Sequence, residues 1–201
     1  MTPSWILVAG VTSPRDARLA EALGADAVSV VLIEGDPRRV RLDVAAEIAQ
    51  GLTIETVAQL AAPSPEALRE AVLTVEPSRL QLGAPPAADA PPPLPWYRAF
   101  PFRDRGVVSL VKDHEGDRFL LELAPDLLPG GRTWQRDRTL LREVGSLGAM
   151  VLGGIPEITM LAEVVERARP WGLVLGACVE QAPGLLDPEK LRRAMRTLRG
   201  R

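Results

Sequence analysis

The stretch Trp5-Ile6-Leu7-Val8-Ala9-Gly10-Val11-Thr12-Ser13-Pro14 decides the fold, because within ten residues it reads as a strand, a glycine turn and a capped helix start. Trp5–Ala9 is an unbroken apolar run, the pattern of a parallel strand covered on both faces. Ser13-Pro14 joins a capping hydroxyl to a proline at the first helical position, where the missing N–H would have had no helical partner anyway. Working outward, the same unit recurs. Apolar runs at Ala27–Ile33, Glu55–Ala61, Arg79–Leu82, Tyr97–Phe102, Arg118–Leu123, Ala149–Leu152 and Gly172–Leu175 make seven further strands. Helical patterning covers Pro14–Leu23, Asp43–Gln50, Pro65–Val75, Thr139–Val144, Pro156–Arg167 and Asp187–Leu198, with the cap-and-proline signal repeated at Ser64-Pro65 and Asp187-Pro188. Strands alternating with helices predict a parallel α/β architecture, and eight strands predict a (β/α)8 TIM barrel, as one domain over residues 1–201.

Such barrels usually need ~250 residues. At 201 residues this one is compact, so some helices must be short or replaced by loops. The clearest replacement follows the fourth strand, where Ala84-Pro85-Pro86 leads into Pro91-Pro92-Pro93-Leu94-Pro95. Prolines lack the amide donors of a helix, so this segment reads as a stiff extended connection across the outside of the barrel.

Composition narrows the function classes. An apolar content of 46% is that of a globular chain. The net charge is −2, and the basic residues are scattered except between Lys190 and Arg201, which reads as the solvated face of a last helix. No nucleic-acid partner is expected. The one cysteine, Cys178, permits no internal disulfide and predicts a reducing, cytoplasmic location. No apolar segment reaches the ~18 residues of a membrane span, and no basic leader precedes the first strand, so no membrane partner is expected. With His114 the sole histidine, in the polar turn Lys112–Asp117, a transition-metal site lacks ligands. No cofactor is implied.

In a barrel of this kind the working groups sit at the C-terminal ends of the strands. Two of those ends look like an anion cradle. The seventh strand runs into Gly153-Gly154-Ile155-Pro156-Glu157 with a helix expected directly behind, and the eighth into Gly176-Ala177-Cys178-Val179-Glu180, then Ala182-Pro183-Gly184. Amides at glycine turns and helix starts favour phosphate. Glu122 ends the sixth strand with a carboxylate, and Arg132 lies in the loop Pro129-Gly130-Gly131-Arg132-Thr133-Trp134-Gln135. Cys178, whose partner base would have to be the distant His114 or Glu122, reads as a small semi-buried thiol.

These motifs resemble, in order and from Ile6 to Arg199, those of the phosphoribosylanthranilate isomerase family of tryptophan biosynthesis. The family opens with Lys-Ile-Cys-Gly-Ile, where this chain has Leu7-Val8-Ala9-Gly10-Val11, and continues with Gly-Ala-Asp, matched by Gly24-Ala25-Asp26. Its Ser-Pro-Arg is Asp36-Pro37-Arg38 here, and its Gln-Leu-His-Gly is Gln81-Leu82-Gly83-Ala84. The resemblance makes Ala9 the position of the general base, a cysteine in the family, and Glu122 that of the general acid, an aspartate. Arg38 matches the arginine facing the anthranilate carboxylate, and a surface arginine after a turn is the equal alternative. Arg132 retains the charge of a loop lysine. Gly153, Gly154, Gly176 and Ala177 fall in the substrate-phosphate loops. There the family aspartate has become Val174, both serines are replaced, and a glycine has become Cys178.

The resemblance implies an aldose–ketose isomerase of the Amadori type, acting on a phosphorylated sugar amine. That chemistry needs an acid and a base on opposite sides of the sugar. A methyl at Ala9 takes no proton, and Glu122 carries one methylene more than aspartate. The expectation is an isomerase-like barrel that keeps a phosphate site but is catalytically impaired, serving as a binding or regulatory partner of another tryptophan-pathway protein. The alternative is an active N-(5'-phosphoribosyl)anthranilate isomerase, or an isomerase of a related phosphosugar amine, with a relocated base.

Overall fold

The computed structural model describes residues 2–86, 91–124, 127–131 and 134–200. Eight parallel strands close on themselves: β1 (Trp5–Val8), β2 (Ala27–Val31), β3 (Glu55–Leu60), β4 (Arg79–Leu82), β5 (Trp96–Phe102), β6 (Arg118–Leu123), β7 (Met150–Gly153) and β8 (Gly172–Leu175). Closure is made by β1 on β8, with Trp5 opposite Gly172 and Val8 opposite Leu175. The predicted (β/α)8 barrel is thus the observed fold. Its strands match the apolar runs to within a residue or two at each end.

Helices α1 (Pro14–Ala22), α2 (Leu42–Ala49) and α3 (Pro65–Val75) follow the first three strands. The Ser13 and Ser64 hydroxyls accept the amides of Asp16 and Ala67, as the cap signals anticipated. No helix lies between β4 and β5 among the described residues; the proline segment crosses there. A short helix, α4 (Val107–Lys112), was not anticipated, and α5 (Trp134–Gly145) is a turn longer at its start than its apolar pattern. After β7 the chain runs without regular structure to Glu157, makes one 3-10 turn at Ile158–Met160, and only then enters α6 (Leu161–Ala168). The helix expected from Pro156 therefore starts later. Beyond β8 come a 3-10 turn (Ala177–Val179), a small hairpin of β9 (Glu180–Ala182) and β10 (Leu185–Leu186), and α7 (Pro188–Arg199), capped by Asp187. No described helix is long and apolar enough to cross a membrane.

Two layers of core result. One lies between strands and helices. The other fills the barrel itself with Trp5, Leu7, Ala27, Val57, Tyr97, Leu120 and Val151. The N-terminal floor of the barrel is ionic. Arg79 and Arg118, each 7% exposed, converge on Glu55 and Asp117. The Arg118 guanidinium also lies over the rings of Trp5 and Trp171 at 4.8 and 4.7 Å. Burial raises the Glu55 pKa, but Arg79 and Arg118 outweigh it and hold the carboxyl below its ordinary range. Buried charges of this kind are tolerable only when each is paired, as here. The floor plugs one end of the barrel, leaving the strand C-termini as its open face.

Candidate active site

At that open face a cavity of about 300 Å³ is lined by residues from seven of the eight strands and the loops that follow them. Ala9 and Gly10 follow β1. Gln59 and Gln81 point in from β3 and β4, and Glu122 from β6. Gly154, Ile155 and Pro156 follow β7, Val174 points in from β8, and Gly176 and Ala177 follow that strand. Asp36 and Arg38 reach over from the loop after β2. The structure thus brings Ala9, Arg38, Glu122, Gly154, Gly176 and Ala177 around one space. Gly153 stands just below, where an added Cβ would meet Leu120 Cδ1 at 3.1 Å and Val174 Cβ at 3.5 Å. Arg132 lies outside the described residues.

The β1 and β7 loops depend on glycine. Gly154 has φ +78°, and a Cβ there would sit 2.6 Å from the Leu123 carbonyl oxygen. A side chain would have to push the loop off the end of β6. Gly10, at φ +70°, lets the Arg38 side chain cross directly over β1; a Cβ would lie 2.5 Å from Arg38 Cδ. Beneath the mouth, the buried Ser29 hydroxyl accepts from the Gly10 amide at 3.1 Å and from Gln59 Nε2 at 2.7 Å. Tyr97, whose phenol is pushed up by burial, donates to Gln81 Oε1 at 3.0 Å. These bonds fix both glutamines.

Arg38 is neither a free substrate arm nor a plain surface residue. Its Nε donates to Glu180 Oε1 at 2.7 Å and its Nη2 to Oε2 at 2.6 Å. Glu180 also accepts the Gly184 amide at 3.1 Å, while its carbonyl takes Lys190 Nζ at 2.7 Å. Thr12 Oγ1 donates to the Gly184 carbonyl at 2.6 Å. One arginine therefore ties the β2 loop to the hairpin after β8, and only Nη1 is left, 4.0 Å from Asp36 Oδ1. A bidentate pair of this type fixes orientation as well as charge.

Glu122 is exposed at the rim and has no hydrogen bond or ion pair among the described residues. Cys178 is buried, more fully than its sequence suggested, and is not part of the cavity lining. Burial pushes its thiol up to about 11, against the opposing influence of the Gly176 and Cys178 amides. Burial of this kind keeps a thiol protonated and disfavours the thiolate that a nucleophile needs. Gly83 has no room for a side chain, since a Cβ would lie 2.8 Å from the Ala61 carbonyl oxygen.

Sequence reasoning passed over Asp36, Gln59 and the role of Glu180. Gln59 carried a faint signal, an amide inside an otherwise apolar strand. The pairing of Glu180 with Arg38 spans 142 residues of sequence and carried none. A larger groove of about 760 Å³ lies on the outside of the barrel, between α3 and the proline segment. Its lining is Pro, Leu, Val and Ala with a single Arg69; it touches the loop after β3 at Ala62 and the end of β4 at Leu82 but shares no residue with the polar cavity over the barrel mouth.

A closed parallel barrel with a polar cavity over its strand C-termini is the architecture of the (β/α)8 barrels, which carry their working groups at that face. No protein-family model matches the chain. It is, however, 32% identical over 211 residues to the N-(5'-phosphoribosyl)anthranilate isomerase of Rhodopseudomonas palustris, covering 98% of this chain and 96% of that one. The isomerase of Rubrobacter xylanophilus is also 32% identical, over 94% and 95% of the two chains. Among solved structures, the phosphoribosyl anthranilate isomerase of Thermus thermophilus superposes with a TM-score of 0.82 at 30% identity over 98% of both chains. An isomerase solved in complex with reduced 1-(o-carboxyphenylamino)-1-deoxyribulose 5-phosphate matches in fold, with a TM-score of 0.85 at 20% identity over the full length of both. The chain belongs to the phosphoribosylanthranilate isomerase family.

Proposed function

We infer that the mouth of this barrel binds a phosphorylated sugar amine and turns it over in the Amadori rearrangement far more slowly than relatives with a complete acid–base pair. The observation that carries this is the cavity lining itself. Glu122 and the methyl of Ala9 face one space, with the glycine loops after β7 and β8 forming its far wall. The amides of Gly154 and Ala177 supply an anion site that depends little on side-chain identity. Of the described lining residues, only Asp36, Arg38 and Glu122 ionise. Loss of one positioned acid–base group typically forfeits ~10²–10⁴ in rate.

Titration calorimetry with ribose 5-phosphate and with inorganic phosphate tests the binding half of this reading. Millimolar or tighter binding, abolished by Gly154→Ala in protein that remains folded, is the expected result. No heat from either ligand would mean that Val174 and the altered β8 loop have closed the cradle.

A further inference from the structure

The rearrangement needs a proton given to one side of the sugar and another taken from its C2, so a mouth with one carboxylate is half a site. This one has two. Besides Glu122, the described lining holds a single further carboxylate, Asp36. Resting on the reading of the mouth given above, we propose that Asp36 is the base of this chain's residual isomerisation, acting with Glu122 as the acid in place of a group at Ala9.

The β2 loop is built to hold Asp36 still. Its neck is closed by a bridge between Val31 and Arg39 and by the Val40 amide on the Val31 carbonyl at 2.9 Å. Within it, the Asp36 amide donates to the Ile33 carbonyl at 3.3 Å, and the Arg39 amide to the Asp36 carbonyl at 3.0 Å. Asp36 Oδ1 accepts the Arg38 amide at 2.8 Å, which restrains the side chain at the cavity lining, and Oδ2 accepts no hydrogen bond among the described residues. Arg38, itself fixed by Glu180, faces the carboxylate from the C-terminal side of the loop. Placement of a reacting group to within an ångström is what such bracing provides.

The chemistry balances on these two groups. The Glu122 carboxylic acid gives its proton to the ring oxygen; the C1–O bond breaks with its pair to that oxygen, and the nitrogen lone pair forms C=N. Asp36 then takes the C2 proton. The C2–H pair becomes the C1=C2 bond, and the C=N pair returns to nitrogen. The enolamine tautomerises to the ketone by moving the C2 hydroxyl proton to C1, and solvent at the open mouth carries the proton from Asp36 back to Glu122. No co-reactant is consumed.

Asp36→Asn separates this role from a structural one, because the Asn oxygen still accepts the Arg38 amide and asparagine suits the same turn. The assay follows loss of phosphoribosylanthranilate fluorescence, alongside calorimetry with ribose 5-phosphate. We expect wild-type turnover above the buffer rate, a fall in kcat of ~100-fold in Asp36→Asn with KM changed less than about threefold, and unchanged ribose 5-phosphate binding. Adding Ala9→Cys to Asp36→Asn should recover turnover and move the acidic limb of the pH profile upward, since thiols ionise several units above carboxylates. If ribose 5-phosphate binds and Asp36→Asn keeps wild-type kcat, or if wild type shows no turnover, the assignment of Asp36 is overturned while the ligand site stands. If ribose 5-phosphate fails to bind, the reading of the mouth falls first and Asp36 with it.

Discussion

Replacing Arg38 by alanine should destabilise the fold by about 2–3 kcal/mol, although the side chain lies at the rim of a cavity. The magnitude follows from the two ends of its ion pair. Glu180 is nearly buried, with 6% of its side chain exposed, and receives two charge-assisted bonds from Arg38. Stripping the partner from a buried charge costs ~3–5 kcal/mol. Arg38 itself is 25% exposed, so water screens part of the pair, and the Gly184 amide stays on Glu180 Oε1. Both facts pull the expected value below that range. Urea denaturation read by fluorescence gives the number, provided the slope is unchanged. A double-mutant cycle with Glu180→Gln should show a coupling of about 1.5 kcal/mol or more. A loss under ~0.5 kcal/mol for Arg38→Ala, or additive single variants, would refute the reasoning and return Arg38 to an ordinary surface pair.

Three other outcomes follow. His114 donates Nε2–H to the Arg118 carbonyl, while its buried Nδ1 has no partner among the described residues, and burial first of all lowers its pKa beneath 6.5. The unfolded chain therefore binds a proton at His114 before the folded one does, so stability should be full above about pH 6.5 and fall as pH drops below it. His114→Gln should flatten that dependence between pH 7.5 and 5.5 in urea midpoints; an unchanged slope would remove His114 as its source. Gly154→Ala should cost ~2 kcal/mol or more, since it combines a left-handed φ with a 2.6 Å approach to the Leu123 carbonyl oxygen, and a thermal melt within 1 °C of wild type would count against the loop geometry. Arg118→Met should be tolerated better than Glu55→Ala, because the latter leaves two buried guanidinium groups short of an acceptor; equal losses in denaturation would contradict the ionic floor.

The barrel was legible because both faces of each strand are buried, so Trp5–Val8 and Ala27–Val31 read as unbroken apolar runs. Cap chemistry located α1, α3 and α7 for the same local reason. It misled after β7, where Pro156 resembles a first helical residue but the loop must first lie against the end of β6 at Gly154. The six-residue α4, starting at Val107 with no side-chain cap, gave no boundary to read. At the site, strand-end positions were readable from period and resemblance. Long-range contacts were not: Arg38 with Glu180 and Thr12 with Gly184 join residues 142 and 172 positions apart that the closure of β1 on β8 brings together, and Gln59 meets Ser29, 30 positions away, only through the pairing of β3 with β2.

The most direct test of the account is steady-state turnover of phosphoribosylanthranilate by the wild-type chain beside Ala9→Cys/Glu122→Asp. In this reading the mouth still binds substrate, and the missing base at Ala9 and displaced acid at Glu122 limit the rate. The expected result is a wild-type kcat ~10²–10⁴ below that of an intact relative, and a double variant with kcat raised at least tenfold at nearly the same KM, by more than the product of the single changes. Wild-type turnover equal to that of an intact relative, with the double variant no faster, would contradict it.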